Sequence, residues 1–163
     1  KKAIKIFFID EMRYGLISNY RRSWSKVGER SIDNQQEYSN RYLYSAIDPI
    51  NGDNFHMYSI SDVNTLATKT FLDEIKEFYK EYHLIIVWDN AAFHKSKKLE
   101  DENLTIIFLP SYSPELNPVE RFFQEIRKVT ANQIFESIDQ QEKLIEQALG
   151  NYMKNKESIK QLC

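Results

Sequence analysis

The sequence has little sulfur and no long apolar run. Its single cysteine is Cys163, which excludes a disulfide framework and any zinc site built from cysteines. No apolar stretch approaches the ~18 residues that a membrane span requires, and no signal peptide precedes the first strand-like segment. We therefore expect a protein of the reducing cytoplasm.

Glycine is also scarce, with four residues in the chain, and none belongs to a Gly-rich phosphate-binding loop. No serine stands in a nucleophile-elbow pattern. The three histidines form no cluster with cysteine that would suit zinc. These absences remove several common classes of hydrolase and nucleotide-binding protein.

The composition is that of a globular protein, with 42% hydrophobic and 28% charged residues. A chain of 163 residues is long enough for one domain with its own core. The net charge is −2, but residues 1–30 carry eight Lys or Arg against three Asp or Glu, so basic character is local. The chain begins at Lys1 without a methionine, and we expect it to be a fragment of a longer protein.

Short apolar runs predict the strands, and helical spacing of apolar residues predicts the helices. Residues 21–41 are polar and predict a long basic loop. The predicted strands are 3–9, 14–20, 42–47, 55–60, 84–88 and 104–109, and the predicted helices are 66–82, 95–102, 118–133 and 139–154. Hairpin strands followed by alternating strands and helices predict an α/β fold, a mixed sheet with helices on both faces.

Two acids are placed where functional groups gather in such sheets. Asp10 and Asp89 each follow a predicted buried strand, and functional groups often lie at strand ends in α/β sheets. If the two strands are neighbours, both carboxylates meet at one edge. Each acid also has an ordinary explanation, because turns accept acidic residues.

A third acid opens a helix. Asn117, Pro118 and Glu120 have the spacing of a helix start, with Asn as N-cap, Pro at the first helical position and Glu at the third. A capping role explains Glu120 without any function. Glu120 also shares a helix face with Gln124 and Arg127, beside the apolar face, and can therefore point along the edge of the sheet.

Three carboxylates would suit a pair of hard cations such as Mg²⁺, which prefer oxygen ligands. Two such ions about 4 Å apart can stabilise both the attacking and the leaving oxygen of an in-line phosphoryl transfer. The sequence contains no competing constellation for another chemistry.

Three sequence blocks closely resemble the signatures of DDE transposases of the mariner-like superfamily, in particular its bacterial insertion-sequence branch. They are residues 8–11 (FIDE), 87–96 (VWDNAAFHKS) and 109–120 (LPSYSPELNPVE), in that order. The last block is the most specific of the three. Residues 24–28 (WSKVG) also resemble a Trp/Gly segment of these proteins.

The resemblance implies a ribonuclease H-like catalytic domain over residues 1–163, with Asp10, Asp89 and Glu120 as the catalytic triad. It implies two Mg²⁺ ions per site, replaceable by Mn²⁺, and cleavage at transposon ends followed by transfer of the 3′-OH into target DNA. The implied partners are double-stranded DNA and a second copy of the chain. The family's N-terminal helix-turn-helix pattern does not occur within this sequence, so we expect weak, largely sequence-independent DNA affinity.

Other residues have both a functional and a structural interpretation. Asn90 and His94 either support Asp89 and a phosphate or hold their loop, and Asn117 supports the site as the cap of Glu120's helix. A basic group is predicted to contact the DNA backbone, with tryptophan stacking on an unpaired base, or else is only solvated: Arg21, Arg22, Trp24, Lys26 and Arg30.

Two rival functions stay open at this point, beside a purely structural α/β domain whose acids only cap turns. One is another ribonuclease H-like nuclease, which the LPSYSPELNPVE block disfavours. The other is an inactive transposase remnant that serves as a DNA-binding or dimerisation module, which the three intact acids disfavour.

Overall fold

The structure is a computed structural model and describes residues 2–17, 36–59, 63–90 and 102–162. Within these ranges the elements in chain order are β1 (Ala3–Ile17), β2 (Gln36–Ile47), β3 (Asn54–Ser59), α1 (Thr65–Phe78), β4 (Tyr82–Trp88), β5 (Leu104–Phe108), a 3₁₀ turn (Pro114–Leu116), α2 (Pro118–Thr130), α3 (Ile138–Lys154) and α4 (Lys156–Leu162).

The five strands form one mixed sheet in the order β3-β2-β1-β4-β5. β1 pairs antiparallel with β2, and β2 with β3. β1 pairs parallel with β4, and β4 with β5. The predicted mixed sheet is thus confirmed, and the strands that carry Asp10 and Asp89 are neighbours.

The prediction that the first strand ends at Asp10 is wrong. β1 continues to Ile17 as one strand, so residues 14–17 of the second predicted strand are its continuation, and residues 18–20 lie outside the described residues. The parallel pairing with β4 stops at Phe8 and Val87, whereas the antiparallel pairing with β2 goes on past Asp10. Buried side chains still alternate as in a strand after the two acids, at Met12, Tyr14 and Leu16. The strand β1 therefore continues through the two consecutive acids.

The predicted loop over residues 21–41 is wrong at its end, because β2 begins at Gln36. The extension of β1 needs a partner, and residues 36–41 supply the antiparallel pairing. The remainder of that predicted loop lies outside the described residues, as does the helix predicted at 95–102.

Helices cover both faces of the sheet. Alternation along β1 sends Phe7 and Ile9 to one face, where they share a core cluster with Phe71 and Ile75 of α1. The next inward-facing residues of β1, including Met12, share the opposite cluster with α2, α3 and α4. The two cores therefore lie on either side of β1, the central strand.

The helix caps follow the sequence. The Asn117 side chain accepts a hydrogen bond from the backbone N–H of Val119, and that of Ser137 accepts one from Gln140. α1 ends at Phe78, earlier than predicted, because the chain turns there to enter β4. α4 was not predicted. No helix in the described ranges is long and apolar enough to cross a membrane.

The start of α4 packs on the turn between β2 and β3. Gly52 has φ +74°, and a Cβ at this position would lie 2.2 Å from the carbonyl oxygen of Lys156. The Lys156 ammonium is 2.5 Å from Asp53. Asp53 also contacts Lys5, a buried residue near the start of β1. This cluster joins the first strand and the last helix at the sheet end remote from Asp10.

Candidate active site

A cavity of about 400 Å³ opens where the parallel pairing of β1 and β4 ends. Asp10, Asp89 and Glu120 all line it, although they come from a strand, a strand end and a helix. The rest of the wall comes from Asn90, Asn117 and residues 109–114. The fold thus gathers the three predicted acids around one space.

Asp10 is the most buried of the three acids. Burial raises the pKa of its carboxyl to about 8, and repulsion from Glu11, Glu120 and Asp89 adds to the effect. The backbone N–H of Glu11 donates to Asp10 Oδ1 at 2.8 Å and opposes this shift. Without a cation nearby, these effects favour the protonated form of Asp10.

Asp89 directly follows β4, as predicted, and its side chain is exposed. The backbone N–H of Leu109 donates to the carbonyl oxygen of Trp88 at 2.7 Å. This bond fastens the loop after β5 to the end of β4. Asp89 is therefore held beside the segment that forms the opposite wall of the cavity.

Glu120 lies in the first turn of α2, and its helix start is bound to β1. Asn117 is 3% exposed, and its Nδ2 donates to the carbonyl oxygen of Ile9 at 3.1 Å. Its Oδ1 accepts from the N–H of Val119 at 3.2 Å. One side chain thus joins the residue before Asp10 to the turn that carries Glu120.

The capping explanation of Glu120 does not hold in the structure. In a capping box, the third helical residue would accept from the N–H of the N-cap, but the N–H of Asn117 donates to the carbonyl oxygen of Pro114 at 3.0 Å. Glu120 Oε2 instead lies 3.9 Å from Nη1 of Arg127. The helix therefore has its cap without the Glu120 carboxylate, which lines the cavity.

Asn90 connects two walls of the cavity. Its Nδ2 donates to Oγ of Ser111 at 3.2 Å. Its buried Oδ1 has no hydrogen-bond partner among the described residues. Of the two predicted roles, fixing the loop is the one that its contact with Ser111 supports.

The donor set has the chemistry of a divalent-metal site but is not assembled into one. Carboxylate oxygens suit Mg²⁺ and Mn²⁺. In the described parts of the chain, however, no three His, Cys, Asp or Glu residues are grouped closely enough to hold an ion.

A polar row that the sequence analysis does not single out lies beside Asp10. Ser45 is the cross-strand partner of Asp10, and His56 is the partner of Ser45. His56 Nδ1 is 3.0 Å from Ser45 Oγ, and its Nε2 is 3.0 Å from Asn54 Oδ1. Only the register of three strands reveals this row, and the sequence does not contain that register.

The hydrogen bonds of this row have a direction. Asn54 Nδ2 donates to the carbonyl oxygens of Gly52 and Tyr152, so Asn54 Oδ1 is an acceptor toward His56. Burial lowers the pKa of His56 to about 3, so the ring is neutral and donates from Nε2. Nδ1 then accepts from the hydroxyl of Ser45. The Ser45 proton therefore points away from Asp10.

The predicted DNA-contacting residues and one supporting residue lie outside the described residues. They are Arg21, Arg22, Trp24, Lys26, Arg30 and His94.

Comparison with known proteins identifies the family. The sequence profile of the family described as "DDE superfamily endonuclease" matches residues 5–145. The chain belongs to the DDE superfamily endonuclease family. The match spans all five strands of this DDE domain and the three acids around its cavity.

A curated relative of this DDE domain is "Uncharacterized protein y4pE/y4sA" of Sinorhizobium fredii (strain NBRC 101917 / NGR234). The two are 34% identical over 101 residues, which are 60% of this chain and 74% of that protein.

Solved structures of Mos1 have the same fold. The Mos1 strand transfer complex aligns with TM-score 0.71 and 16% identity over 96% of this chain and 52% of that chain. The Mos1 mariner paired end complex with Mn aligns with TM-score 0.69 and 17% identity over 96% of this chain and 53% of that chain. At these identities the likeness shows the fold, which is ribonuclease H-like. The DDE domain spans about half the length of these solved chains.

Proposed function

We propose that residues 1–163 form the catalytic domain of a transposase, which cleaves DNA at transposon ends and transfers the freed 3′-OH into target DNA. The observation that carries the proposal is the convergence of Asp10, Asp89 and Glu120 on one cavity. Membership of an endonuclease family supports DNA cleavage. The LPSYSPELNPVE block around Glu120 favours a transposase over another ribonuclease H-like nuclease.

In this proposal the three carboxylates hold two divalent cations, Mg²⁺ or Mn²⁺. The Mos1 mariner paired end complex has been solved with Mn and with Mg, which supports the same choice here. The ions would supply charge neutralisation at the reacting phosphate and activation of the attacking oxygen. Asp10 would lose its proton when a cation replaces the repulsion of the neighbouring acids.

The other residues of the cavity would position these ligands. Asn117 holds Glu120's helix against β1. Asn90 and Ser111 hold the loop that faces Asp89. The row behind Asp10 turns the Ser45 proton toward His56, which leaves the Asp10 oxygens to the cation.

The proposed partners are double-stranded DNA, as transposon ends and as target, and a second copy of the chain. A related protein, Mos1, has been solved as a paired-end complex with the left transposon end, which supports this assignment. The basic residues between Arg21 and Arg30 would contact the DNA backbone.

The test is cleavage of a plasmid that carries the DNA flanking the gene on both sides, with the protein as encoded in full. We expect nicking in Mg²⁺ by the wild type and at least a 100-fold loss in Asp89→Asn, which lowers the ligand charge and keeps the side-chain shape. Glu115→Gln is the matched control, because it removes an exposed carboxylate from the neighbouring 3₁₀ turn, outside the cavity.

Thermal unfolding separates the transposase from an inactive remnant. Millimolar Mg²⁺ or Mn²⁺ should raise the Tm of the wild type and of Glu115→Gln by mass action, and should raise that of Asp89→Asn much less. Full cutting by Asp89→Asn would refute the metal assignment. A wild type that neither cuts nor gains stability from these ions would refute the transposase and leave the remnant.

A further inference from the structure

Tyr112 is an exposed aromatic residue on the rim of the acidic cavity. Its relative exposure is 101%, so the ring lies entirely in solvent. The residue lines the same cavity as Asp10, Asp89 and Glu120. Exposed aromatic side chains on a cavity rim are candidates for ligand contact, because burying a ring on the protein itself would be favourable.

The backbone of Tyr112 is strained. Its φ is +60°, in the left-handed region that residues with a Cβ seldom adopt outside Asn and Asp. Since the ring is fully exposed, intramolecular packing does not compensate for this conformation. Strain of this kind clusters at ligand sites, where the bound state provides the compensation.

The surrounding loop enforces this conformation. Leu109 is bonded to Trp88 of β4 on one side of Tyr112, and Ser111 is bonded to Asn90. On the other side, the 3₁₀ turn begins at Pro114, and the N–H of Leu116 donates to Ser113. The loop therefore holds the Tyr112 backbone in place on the rim of the cavity that the three carboxylates line.

We propose that the Tyr112 ring is a stacking platform for a DNA base that leaves its pair next to the cleaved phosphate. This inference rests on the proposed function, because it takes DNA as the substrate. A phosphate held by cations on the three carboxylates places the adjoining nucleotide at the rim of the cavity. A base is uncharged and has a flat π face, so it suits an aromatic ring beside an acidic cluster.

Stacking of a base on Tyr112 would raise the cleavage rate when the duplex must open next to the cleavage position. Unpairing a base next to the cleavage position is unfavourable in a continuous duplex, and stacking on an aromatic ring offsets this cost. The contribution should disappear with a substrate whose bases are already unpaired at that position. It depends on the ring and not on the hydroxyl.

The test compares Tyr112→Ala, Tyr112→Phe and Tyr112→Gly on a paired duplex and on the same duplex with mismatches flanking the cleavage position. On the paired duplex we expect a rate loss of about 5- to 100-fold for Ala and Gly, which is the range that one stacked base supplies, and less than about 3-fold for Phe. On the mismatched duplex all variants should cut at rates within about 3-fold of the wild type. Leu116→Ala is the matched control, because Leu116 is exposed in the same loop but outside the cavity.

A second measurement reports stacking without cleavage. With 2-aminopurine at the position flanking the cleavage site and Ca²⁺ in place of Mg²⁺, binding of the wild type and of Tyr112→Phe should quench the fluorescence of the unpaired base relative to Tyr112→Ala. Tyr112→Gly should also unfold at a Tm about 2–4 °C higher, since glycine relieves the backbone strain.

The outcomes separate this inference from the proposed function. A wild type that binds the duplex but never cuts refutes the activity, and the 2-aminopurine signal still decides the stacking. If the wild type cuts, and Tyr112→Ala equals it in cleavage rate and in fluorescence, the stacking is refuted and the proposed function is not. If Tyr112→Gly has a lower Tm than the wild type, the ring stabilises the fold and the inference is refuted. The inference is also refuted if Tyr112→Ala loses the dimer mass while its fluorescence equals that of the wild type, because the ring then contributes to the contact between two copies of the chain.

Discussion

His56 is a partly buried imidazole whose surroundings favour the neutral form. Its ring stacks on Phe122 of α2 with centroids 5.2 Å apart and planes at 7°, and both nitrogens are hydrogen-bonded. A proton on Nδ1 would reverse the hydrogen bond with Ser45, whose hydroxyl would then have to accept. The residue thus connects protonation to the packing of α2, the helix that carries Glu120.

We predict an acid-dependent loss of stability from this residue. The folded pKa of His56, about 3, lies below the ordinary histidine pKa of 6.5 because of burial. Between these values the unfolded chain binds one proton more than the folded chain, so stability falls as pH falls. His56→Gln removes this contribution, and its free energy of unfolding should depend on pH less steeply, by up to about 1.4 kcal/mol per pH unit.

Urea unfolding of the metal-free protein at pH 6.5, 5.5 and 4.5 measures this difference. Ser45→Ala is the control, because it removes the hydrogen-bond partner and retains the titrating ring. Its stability should be lower than that of the wild type by about 1 kcal/mol, with a pH slope close to that of the wild type. Parallel slopes for His56→Gln and the wild type would show that the ring does not stay neutral in the fold.

Asn117 links two secondary structure elements, α2 and β1. As an N-cap it satisfies the N–H of Val119, and as a donor it satisfies a carbonyl of β1. Asn64 caps α1 by accepting from the N–H groups of Leu66 and Ala67, but it is exposed. Loss of the Asn117 side chain therefore removes a helix cap and the donor to a β1 carbonyl, whereas loss of the Asn64 side chain removes a helix cap at an exposed position.

We predict that Asn117→Ala is the more damaging of the two cap removals. Both variants lose a cap, which contributes about 1 kcal/mol. Asn117→Ala also leaves the carbonyl of Ile9 buried without its donor, which lowers the free energy of unfolding by about 1–3 kcal/mol more. Urea unfolding of both variants measures the difference, and equal losses would show that the bond to β1 has no energetic weight.

The sequence predicted the helices and short strands better than the long strand. Caps and apolar spacing are local, so the cap at Asn117 and the strand before Asp89 were predicted to within a few residues. The pattern predicts a strand end at Asp10 and Glu11 because turns accept acidic residues. β1 tolerates them through its long-range pairing with β2, which a local pattern does not contain.

The three acids of the candidate site were predictable from the sequence, and the residues that support them were not. Asp10, Asp89 and Glu120 are recognisable from motifs, and the cavity contains all three. The Ser45–His56 row depends on strand register, and the strain at Tyr112 depends on a backbone angle. Both are properties of the folded chain, so the sequence named neither.

The two ends of the described chain are joined by buried charge. Lys5 is 8% exposed and Asp48 is 1% exposed, with Lys5 Nζ 3.8 Å from Asp48 Oδ2 and in contact with Asp53. Asp53 reaches Lys156 of α4 as well. The aromatic rings of Tyr79 and Tyr82 lie 5.3 and 4.9 Å from the Lys5 ammonium.

We predict that Lys5→Met lowers the free energy of unfolding by about 3 kcal/mol, the lower end for breaking a buried ion pair, because Asp53 keeps Lys156. The double variant Lys5→Met/Asp53→Asn should lose less than the sum of the two single variants, since the contact between Lys5 and Asp53 is lost only once. Chemical denaturation of the four proteins gives the coupling. Strict additivity would mean that the two residues do not interact.

The central position of β1 has a consequence for synthesis on the ribosome. β1 precedes the other described elements, yet one of its faces is covered by α2, α3 and α4, which follow all the described strands. Its parallel neighbour β4 starts at Tyr82. A nascent chain therefore exposes the apolar side of β1 until these helices have emerged, and chaperones that bind extended apolar segments have that whole interval to engage it.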